Sequence, residues 1–232
     1  IKSIKTAGTS VEQYLKQFCD SEEDIITREL RQENVLKLVG TGLWLLPLAR
    51  GAVFRSRRYV ADAKETFRGY RFASHMTAAT IRDRLPRDVW QNYFKFTIER
   101  NPWDKTLSHL HFLNHKRGLG LTLDSYIRRR RFCYNYPYYL DPSQGHVIVD
   151  RVVRYESLQS ELDDVATRLD LPERFSSAFN EKAGIRKDRR PYQEVFTSQQ
   201  AHVIERAFQR EIDLLGYSFY SDASSAAVGG VR

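Results

Sequence analysis

The apolar positions of the chain change repeatedly between alternation and helical spacing. Alternating apolar residues at 94–98 predict a strand that ends at Arg100. A nearly continuous apolar run at 147–155 predicts a second strand, and a short extended piece is expected at 70–72. Residues 1–4 are typical of the tail of a strand already under way.

Helical spacing follows each of these strands. In chain order, the predicted helices lie at about residues 11–18, 76–85, 102–115 and 158–169. Ser74 is the expected cap of the second helix, and Asn101 with Pro102 should begin the third. A closing helix is expected between a capping box at Thr197 and a stop at Gly216.

This order of strands and helices predicts an α/β fold with a mostly parallel central sheet flanked by helices. We expect one domain over residues 1–220. A peripheral insertion is expected at about residues 20–59, where glycines and a proline interrupt the regular pattern. Residues 221–232 are small and polar, and should form a flexible tail.

Composition excludes several classes of protein. With 41% hydrophobic residues, the chain of 232 residues can build a real core. Two cysteines, Cys19 and Cys133, cannot form a disulfide framework or a cysteine cluster for zinc, and favour a reducing compartment. The longest apolar stretch, residues 43–54, is interrupted by Pro47 and Arg50 and is shorter than the roughly 20 residues that span a bilayer.

The first candidate site is a turn of small residues before the first helix. It consists of Lys5, Thr6, Ala7, Gly8, Thr9 and Ser10. Backbone N–H groups at a helix start bind phosphate or sulfate, and Lys5 adds a cation. The net charge of +8 also predicts an anionic partner, without choosing among nucleic acid, phosphorylated cofactors and acidic polysaccharides. Taken alone, such a turn is more often only a tight connection.

A second candidate lies at the end of the strand predicted over 94–98. Arg100 should project from the carboxyl edge of the sheet, and Ser108, seven residues after the helix cap, returns to nearly the same helix face. Both side chains are then placed to contact one phosphate. The other interpretation is an ordinary Asn-Pro helix start with a surface arginine.

Together the two motifs resemble those of the carbohydrate sulfotransferases of the Golgi-type and bacterial group, sulfotransferase family 2. The residues 5–10 resemble the loop that holds the 5′-phosphosulfate of 3′-phosphoadenosine 5′-phosphosulfate (PAPS), and Arg100-Asn101-Pro102-Trp103 with Ser108 resembles the 3′-phosphate motif. The resemblance continues at residues 74–77, at Asp150 with residues 154–158, and at residues 213–217, and it covers nearly all of residues 1–219. Two departures are Ser74, which replaces the usual glycine before histidine, and the unmatched insertion.

The resemblance implies a P-loop-like three-layer fold and transfer of a sulfuryl group from PAPS to a carbohydrate hydroxyl on an oligosaccharide, polysaccharide or glycolipid. It implies no metal ion, no nucleic-acid partner and no stable membrane insertion. The expected location is the cytoplasm for a bacterial-type enzyme, or the Golgi lumen for the catalytic domain of a longer eukaryotic chain.

The resemblance also implies roles for individual residues. Lys5 and the backbone through Ser10 would hold the 5′-phosphosulfate, Arg100 and Ser108 the 3′-phosphate, and Arg189 and Arg190 would fold over the donor phosphates. His75 is the predicted general base, because imidazole titrates near neutrality and the strand-to-helix junction faces a cleft. The alternative is a capping or core histidine.

Several other features have both a functional and a purely structural interpretation. The arginine run at residues 128–131, beside five aromatic residues, suits binding of an acidic oligosaccharide, or is simply a solvated face. Glu156 is a weaker candidate for the base, and is more typical of a buried hydrogen-bonded group. His109, His111 and His115 do not suit zinc, because the first two point to different helix faces.

Two further functions stay open from the sequence. A small-molecule kinase is the first, because the turn at residues 5–10 suits ATP phosphates and the run ending at Asp150 faintly resembles a Walker B strand. A nucleic-acid binder is the second, indicated only by the basic charge and the arginine runs.

Overall fold

The computed structural model describes residues 1–19, 72–175, 188 and 190–220. The predicted insertion, the C-terminal tail and Arg189 lie outside these residues, as does most of the strand expected at 70–72. Over the described ranges, none of the helices combines the length and apolarity that a membrane span requires.

The described elements are mostly helices with two short strands among them, and about half of the described residues are helical. In chain order they are α1 (Gly8–Lys16), α2 (Ala78–Arg82), α3 (Arg87–Asn92), β1 (Phe96–Glu99), α4 (Pro102–Arg117), α5 (Leu123–Arg128), α6 (Tyr136–Tyr139), β2 (Arg151–Arg154), α7 (Leu158–Arg168), α8 (Tyr192–Val195), α9 (Ser198–Ala207) and α10 (Gln209–Leu215).

The sheet of the described residues is a parallel pair of short strands, β1 and β2, in a register that sets Phe96 opposite Arg151. Residues 1–3 run beside β1 without forming a strand. The Ile1 nitrogen donates to the Phe96 carbonyl at 2.6 Å, the Thr97 hydroxyl donates to the Ile1 carbonyl at 3.1 Å, and the Ser3 hydroxyl donates to the Ile98 carbonyl. The pairing of β1 with β2 confirms the predicted parallel α/β character, but the sheet is much smaller than expected.

Several predicted boundaries are corrected. The strand expected at 147–155 is shortened to β2, because Val147 instead forms an antiparallel bridge with Leu140 and a 3-10 turn begins at Tyr155. Helix α2 is capped by Thr77, whose hydroxyl accepts from the Thr80 nitrogen at 3.2 Å. The predicted cap, Ser74, instead has a buried hydroxyl with no hydrogen-bond partner in the described part of the chain.

Helix α4 begins as predicted. The Asn101 side chain accepts hydrogen bonds from the backbone nitrogens of Trp103 and Asp104 at 3.1 and 3.4 Å, and Pro102 occupies the first helical position. Gly118 ends the helix in the left-handed conformation, with φ of 61°. This firm start orients the face of α4 that carries the candidate residues.

The closing helix is two helices. The capping box of Thr197 and Gln200 is confirmed, and Gly216 ends α10 at a φ of 63°. Between them the chain leaves helical geometry at Phe208, whose φ and ψ are −114° and 24°. The Phe208 ring is completely buried against Phe132 and Tyr134, so its packing sets the break.

Two apolar clusters hold these elements together. One lies between α4 and the closing helices and includes Trp103, Leu107, Ile204 and Phe208. The other lies between α1, α7 and the strand pair and includes Val11, Ile98, Val153 and Leu162. Helices α1 and α7 therefore cover the strands, and the carboxyl ends of the strands lead to the candidate site.

A buried ion pair joins the end of β1 to α4. The Lys105 ammonium lies 2.7 Å from Glu99 Oε1, and both side chains are 0% exposed. Tyr139 donates a hydrogen bond to the other carboxylate oxygen of Glu99 at 3.1 Å, and a Glu211 oxygen lies 3.9 Å from the ammonium. Burial raises the pKa of Glu211 above its ordinary value.

Asn135 connects this ion pair to the segment before α1. Its amide nitrogen donates to Glu99 Oε1 at 3.2 Å and to the Ile4 carbonyl at 3.0 Å. Its amide oxygen accepts from the Ile4 nitrogen at 2.9 Å. The loop that begins at Lys5 is thereby fixed relative to the end of β1.

We expect Lys105→Met to lower the free energy of unfolding by about 3–5 kcal/mol, because it leaves the Glu99 carboxylate buried without its cation. Lys116→Met, at an exposed position of the same helix, should change it by less than about 0.5 kcal/mol. Chemical denaturation of both variants measures the difference. Equal stabilities would contradict the importance of the ion pair.

Candidate functional site

The turn before α1 has an unusual backbone. Lys5 and Ala7 both adopt left-handed conformations, with φ of 64° and 58°. Such conformations are costly for residues with a side chain and are concentrated at functional sites. Ala7, the residue before α1, has no side-chain group that could cap the helix, and the backbone N–H groups of the first helical turn point toward this turn. The turn is therefore suited to accept an anion.

The interior of the turn is fixed by hydroxyl groups. The Thr6 and Ser3 side-chain oxygens lie 2.7 Å apart, and both residues are buried, as is Ser10. These hydroxyls serve the fold of the turn. The backbone and Lys5 remain the groups of the turn best suited to hold a ligand.

Arg100 brings the two sequence motifs together. It follows directly after β1, and its Nη1 lies 3.4 Å from both the Lys5 carbonyl oxygen and Ser108 Oγ. The strand end, the turn and one face of α4 thus converge on this guanidinium. Their proximity agrees with the spacing of the motifs, and their role in phosphate binding stays a prediction.

Two further side chains hold Arg100. Asp104 Oδ2 accepts from Nε at 2.7 Å and lies 2.5 Å from Nη2. The Tyr155 ring lies against the guanidinium face, with 4.2 Å between the ring centroid and Cζ. Neither residue was singled out from the sequence, although Asp104 stands four residues after Arg100, the spacing of helical ion pairs.

His109, which the sequence analysis considered only as a zinc ligand, is a further candidate for the anion site. Its Nδ1 lies 2.8 Å from the Tyr126 hydroxyl, and the two rings meet edge to face. Burial, followed by the charges of Lys5 and Arg117, lowers the pKa of His109 from 6.5 to about 4. The imidazole is therefore neutral near pH 7. Its position directly after Ser108 was the available signal.

The Lys5 ammonium extends along α4. It lies 4.6 Å from the centroid of the Phe112 ring, one helical turn after Ser108 and His109. We call Lys5, Arg100, Ser108 and His109 the loop–helix cluster. It combines two cationic side chains, a hydroxyl and a neutral imidazole, a set suited to a ligand with several negative charges.

His75, the predicted base, lies beside the segment that leads into the turn. Its Nδ1 is 3.1 Å from the Lys2 carbonyl oxygen, and its ring is 6.4 Å from that of Tyr138. The residue has a left-handed backbone, with φ of 63°. The structure thus places His75 beside Lys2, three residues before the turn, and its catalytic role stays a prediction.

Glu156 has a structural environment. Its two carboxylate oxygens accept hydrogen bonds from the Asn101 nitrogen at 2.7 Å and from the Tyr217 hydroxyl at 2.9 Å. It therefore ties the start of α4 to the C-terminal segment. This agrees with a hydrogen-bonded structural role rather than that of a free base.

Asp150 does not end a strand. It precedes β2, and its carboxylate accepts from the Lys95 nitrogen at 2.6 Å and lies 2.9 Å from the Lys95 ammonium. Asp150 therefore lies at the opposite end of the strand pair from Arg100. The run at residues 147–150 is not the strand that the kinase hypothesis expects, and the hypothesis itself stays a prediction.

Two further binding residues were predicted, Arg189 and Arg190. Arg190 is exposed and pairs with Asp188 at 2.7 Å, and Arg189 lies outside the described residues.

Among the described residues, no three histidine, cysteine, aspartate or glutamate side chains form a group that could hold a metal ion.

A pocket of about 320 Å³ lies between residues 1–3, α1 and β1. Thr6 and Gly8 contribute to its wall, but Lys5, Arg100 and Ser108 do not. An anion bound by the loop–helix cluster would therefore lie outside this pocket.

Comparison with known proteins identifies a relative. The chain is 30% identical over 112 residues to an uncharacterized protein of Archaeoglobus fulgidus, across 47% of this chain and 93% of the archaeal protein. The chain belongs to the same family as that archaeal protein. No family model and no solved structure matches the chain. Any proposal about what this protein does therefore depends on the geometry of the loop–helix cluster.

We expect the imidazole of His109 to titrate near pH 4 in the folded protein, as followed by NMR. Lys5→Met should raise this pKa, because it removes a nearby positive charge, whereas Lys16→Met at the other end of α1 should not. Between pH 6.5 and 4 the unfolded chain binds a proton that the folded chain does not, so His109 should lower stability as the pH falls. A titration near 6.5 would contradict the described environment.

Proposed function

We propose that this protein is a PAPS-dependent sulfotransferase that moves a sulfuryl group to a carbohydrate hydroxyl. The observation that carries the proposal is the position of Arg100 Nη1, 3.4 Å from both the Lys5 carbonyl and Ser108 Oγ. Two motifs about a hundred residues apart in the chain meet there. A P-loop-like three-layer fold is part of the proposal, and the parallel strand pair with α1 after the turn supports it.

PAPS carries negative charge at two separate places, and the cluster offers two places to hold it. The 5′-phosphosulfate would lie at the turn, with the first-turn N–H groups of α1 and the Lys5 ammonium as donors. The 3′-phosphate would lie between Arg100 and Ser108. Charge-assisted hydrogen bonds of this kind supply both affinity and orientation.

The chemistry follows from these positions. The acceptor oxygen forms a bond to sulfur as the bond from sulfur to the bridging phosphate oxygen breaks, and 3′-phosphoadenosine 5′-phosphate leaves. Lys5 stabilises the charge that develops on the departing phosphate, and His75 takes the proton of the acceptor hydroxyl. Every step uses side chains of this chain and requires no metal ion.

The acceptor we propose is an acidic oligosaccharide or polysaccharide. The four arginines at residues 128–131 are all exposed, and Tyr134 is 40% exposed. The chain continues from them to Asn135, which binds Ile4 directly before the turn. An anionic sugar on this surface would thus approach the donor site with its ring against an aromatic side chain.

The first test is nucleotide binding measured by calorimetry without metal. We expect 3′-phosphoadenosine 5′-phosphate to bind far more tightly than adenosine 5′-phosphate, which lacks the group assigned to Arg100 and Ser108. Arg100→Ala should weaken binding of the bisphosphate about 10- to 100-fold, the usual loss for a charge-assisted contact of about 1.5–3 kcal/mol.

The matched control is Arg206→Ala, an exposed arginine of α9, which should leave the affinity unchanged. Equal binding of the two adenosine nucleotides would contradict the 3′-phosphate assignment. Tighter binding of ATP with magnesium, or of an oligonucleotide, would favour a kinase or a nucleic-acid binder instead.

The second test separates binding from catalysis. His75→Ala should keep the affinity for the donor nucleotide and lower the rate of sulfuryl transfer roughly 10²- to 10⁴-fold, the usual contribution of a general base. His202→Ala, at an exposed position of α9, should not change the rate. A large loss in Glu156→Gln together with a small loss in His75→Ala would move the base to the carboxylate.

A further inference from the structure

Two side chains restrain the guanidinium of Arg100. Asp104 engages the edge formed by Nε and Nη2, at 2.7 and 2.5 Å, through the single oxygen Oδ2. Tyr155 covers one face at 4.2 Å. The remaining nitrogen, Nη1, is the one directed at the Lys5 carbonyl and Ser108.

We propose that Asp104 is a positioning residue that sets which phosphate the site prefers. By holding the Nε–Nη2 edge, it directs Nη1 of Arg100 toward the place between the turn and Ser108. A nucleotide with its second phosphate at the 3′ position is then favoured over one with the same charge placed elsewhere. This inference rests on the proposed function.

The restraint comes from well-anchored elements. Asp104 lies in the first turn of α4, where its own backbone nitrogen donates to the Asn101 cap. Tyr155 begins the 3-10 turn that follows β2 directly. Arg100 itself is only 14% exposed, so its planar donors have little freedom to turn elsewhere. A group held in its bound orientation loses less entropy when the ligand arrives.

Asp104 has a second, opposing effect. Its negative charge lies close to the anion site and weakens the attraction for any anion there. Removal of Asp104 therefore changes overall affinity through charge and positional preference through orientation. Two ligands of equal charge separate the effects, because the charge contribution is nearly the same for both.

The experiment compares 3′-phosphoadenosine 5′-phosphate with its isomer 2′-phosphoadenosine 5′-phosphate by calorimetry. The wild-type protein should prefer the 3′ isomer. The preference is measured as the dissociation constant of the 2′ isomer divided by that of the 3′ isomer. Asp104→Ala should reduce this ratio about tenfold, whatever happens to the individual constants, because about one well-oriented hydrogen bond to the 3′-phosphate is lost. Asp88→Ala, an exposed acidic residue in the first turn of α3, is the matched control and should keep the ratio.

A double-mutant cycle tests whether Asp104 acts through Arg100. The variant with both Arg100→Ala and Asp104→Ala should show the same isomer ratio as Arg100→Ala alone, because the residue to be positioned is gone. If Asp104→Ala does not fold, Asp104→Asn keeps the shape without the charge and should lower the ratio in the same direction.

The outcomes separate this inference from the proposed function. A wild-type preference for the 3′ isomer that Asp104→Ala leaves intact would overturn the role of Asp104 alone. An additional loss in the double variant would overturn action through Arg100. A wild-type protein that binds neither isomer, or binds both equally, would overturn the 3′-phosphate assignment and this inference with it.

Discussion

The buried ion pair between Glu99 and Lys105 is the interaction on which the candidate site depends. A carboxylate and an ammonium taken out of water are destabilising unless their remaining hydrogen-bonding capacity is filled. Here Tyr139 and Asn135 complete the carboxylate, and Asn135 reaches on to Ile4. One polar network therefore joins the strand end, the helix and the start of the turn.

The position of each binding group follows from that network. Arg100 is the next residue after Glu99, and its backbone nitrogen donates to the same carboxylate at 2.9 Å. Ser108 stands three residues after Lys105, and Lys5 follows Ile4. The loop–helix cluster is thus built directly beside a buried ion pair. Rigid support of this kind keeps the donors in place before a ligand arrives.

Short-range sequence signals predicted the local structure well. The Asn101 cap, the capping box at Thr197 and the stop at Gly216 are all confirmed, because each depends on residues within a few positions of one another. The spacing of Arg100 and Ser108 also indicated their meeting. Signals of this range act through one turn of backbone and need no knowledge of the rest of the fold.

Features that depend on distant contacts were not predictable in the same way. The charged residues Glu99 and Lys105 have the pattern of a polar surface, and only the assembled fold buries them. The break at Phe208 comes from packing against residues far earlier in the chain. The low pKa of His109 likewise depends on burial and on Lys5, about a hundred residues away in the chain.

The most direct test of the account is a crystal structure of the protein with 3′-phosphoadenosine 5′-phosphate. We expect the 3′-phosphate within hydrogen-bond distance of Arg100 and Ser108, and the 5′-phosphate at the turn beside Lys5. We also expect the Glu99–Lys105 ion pair to be unchanged. A nucleotide bound in the pocket between residues 1–3 and α1, or anywhere away from Arg100, would contradict the central claim.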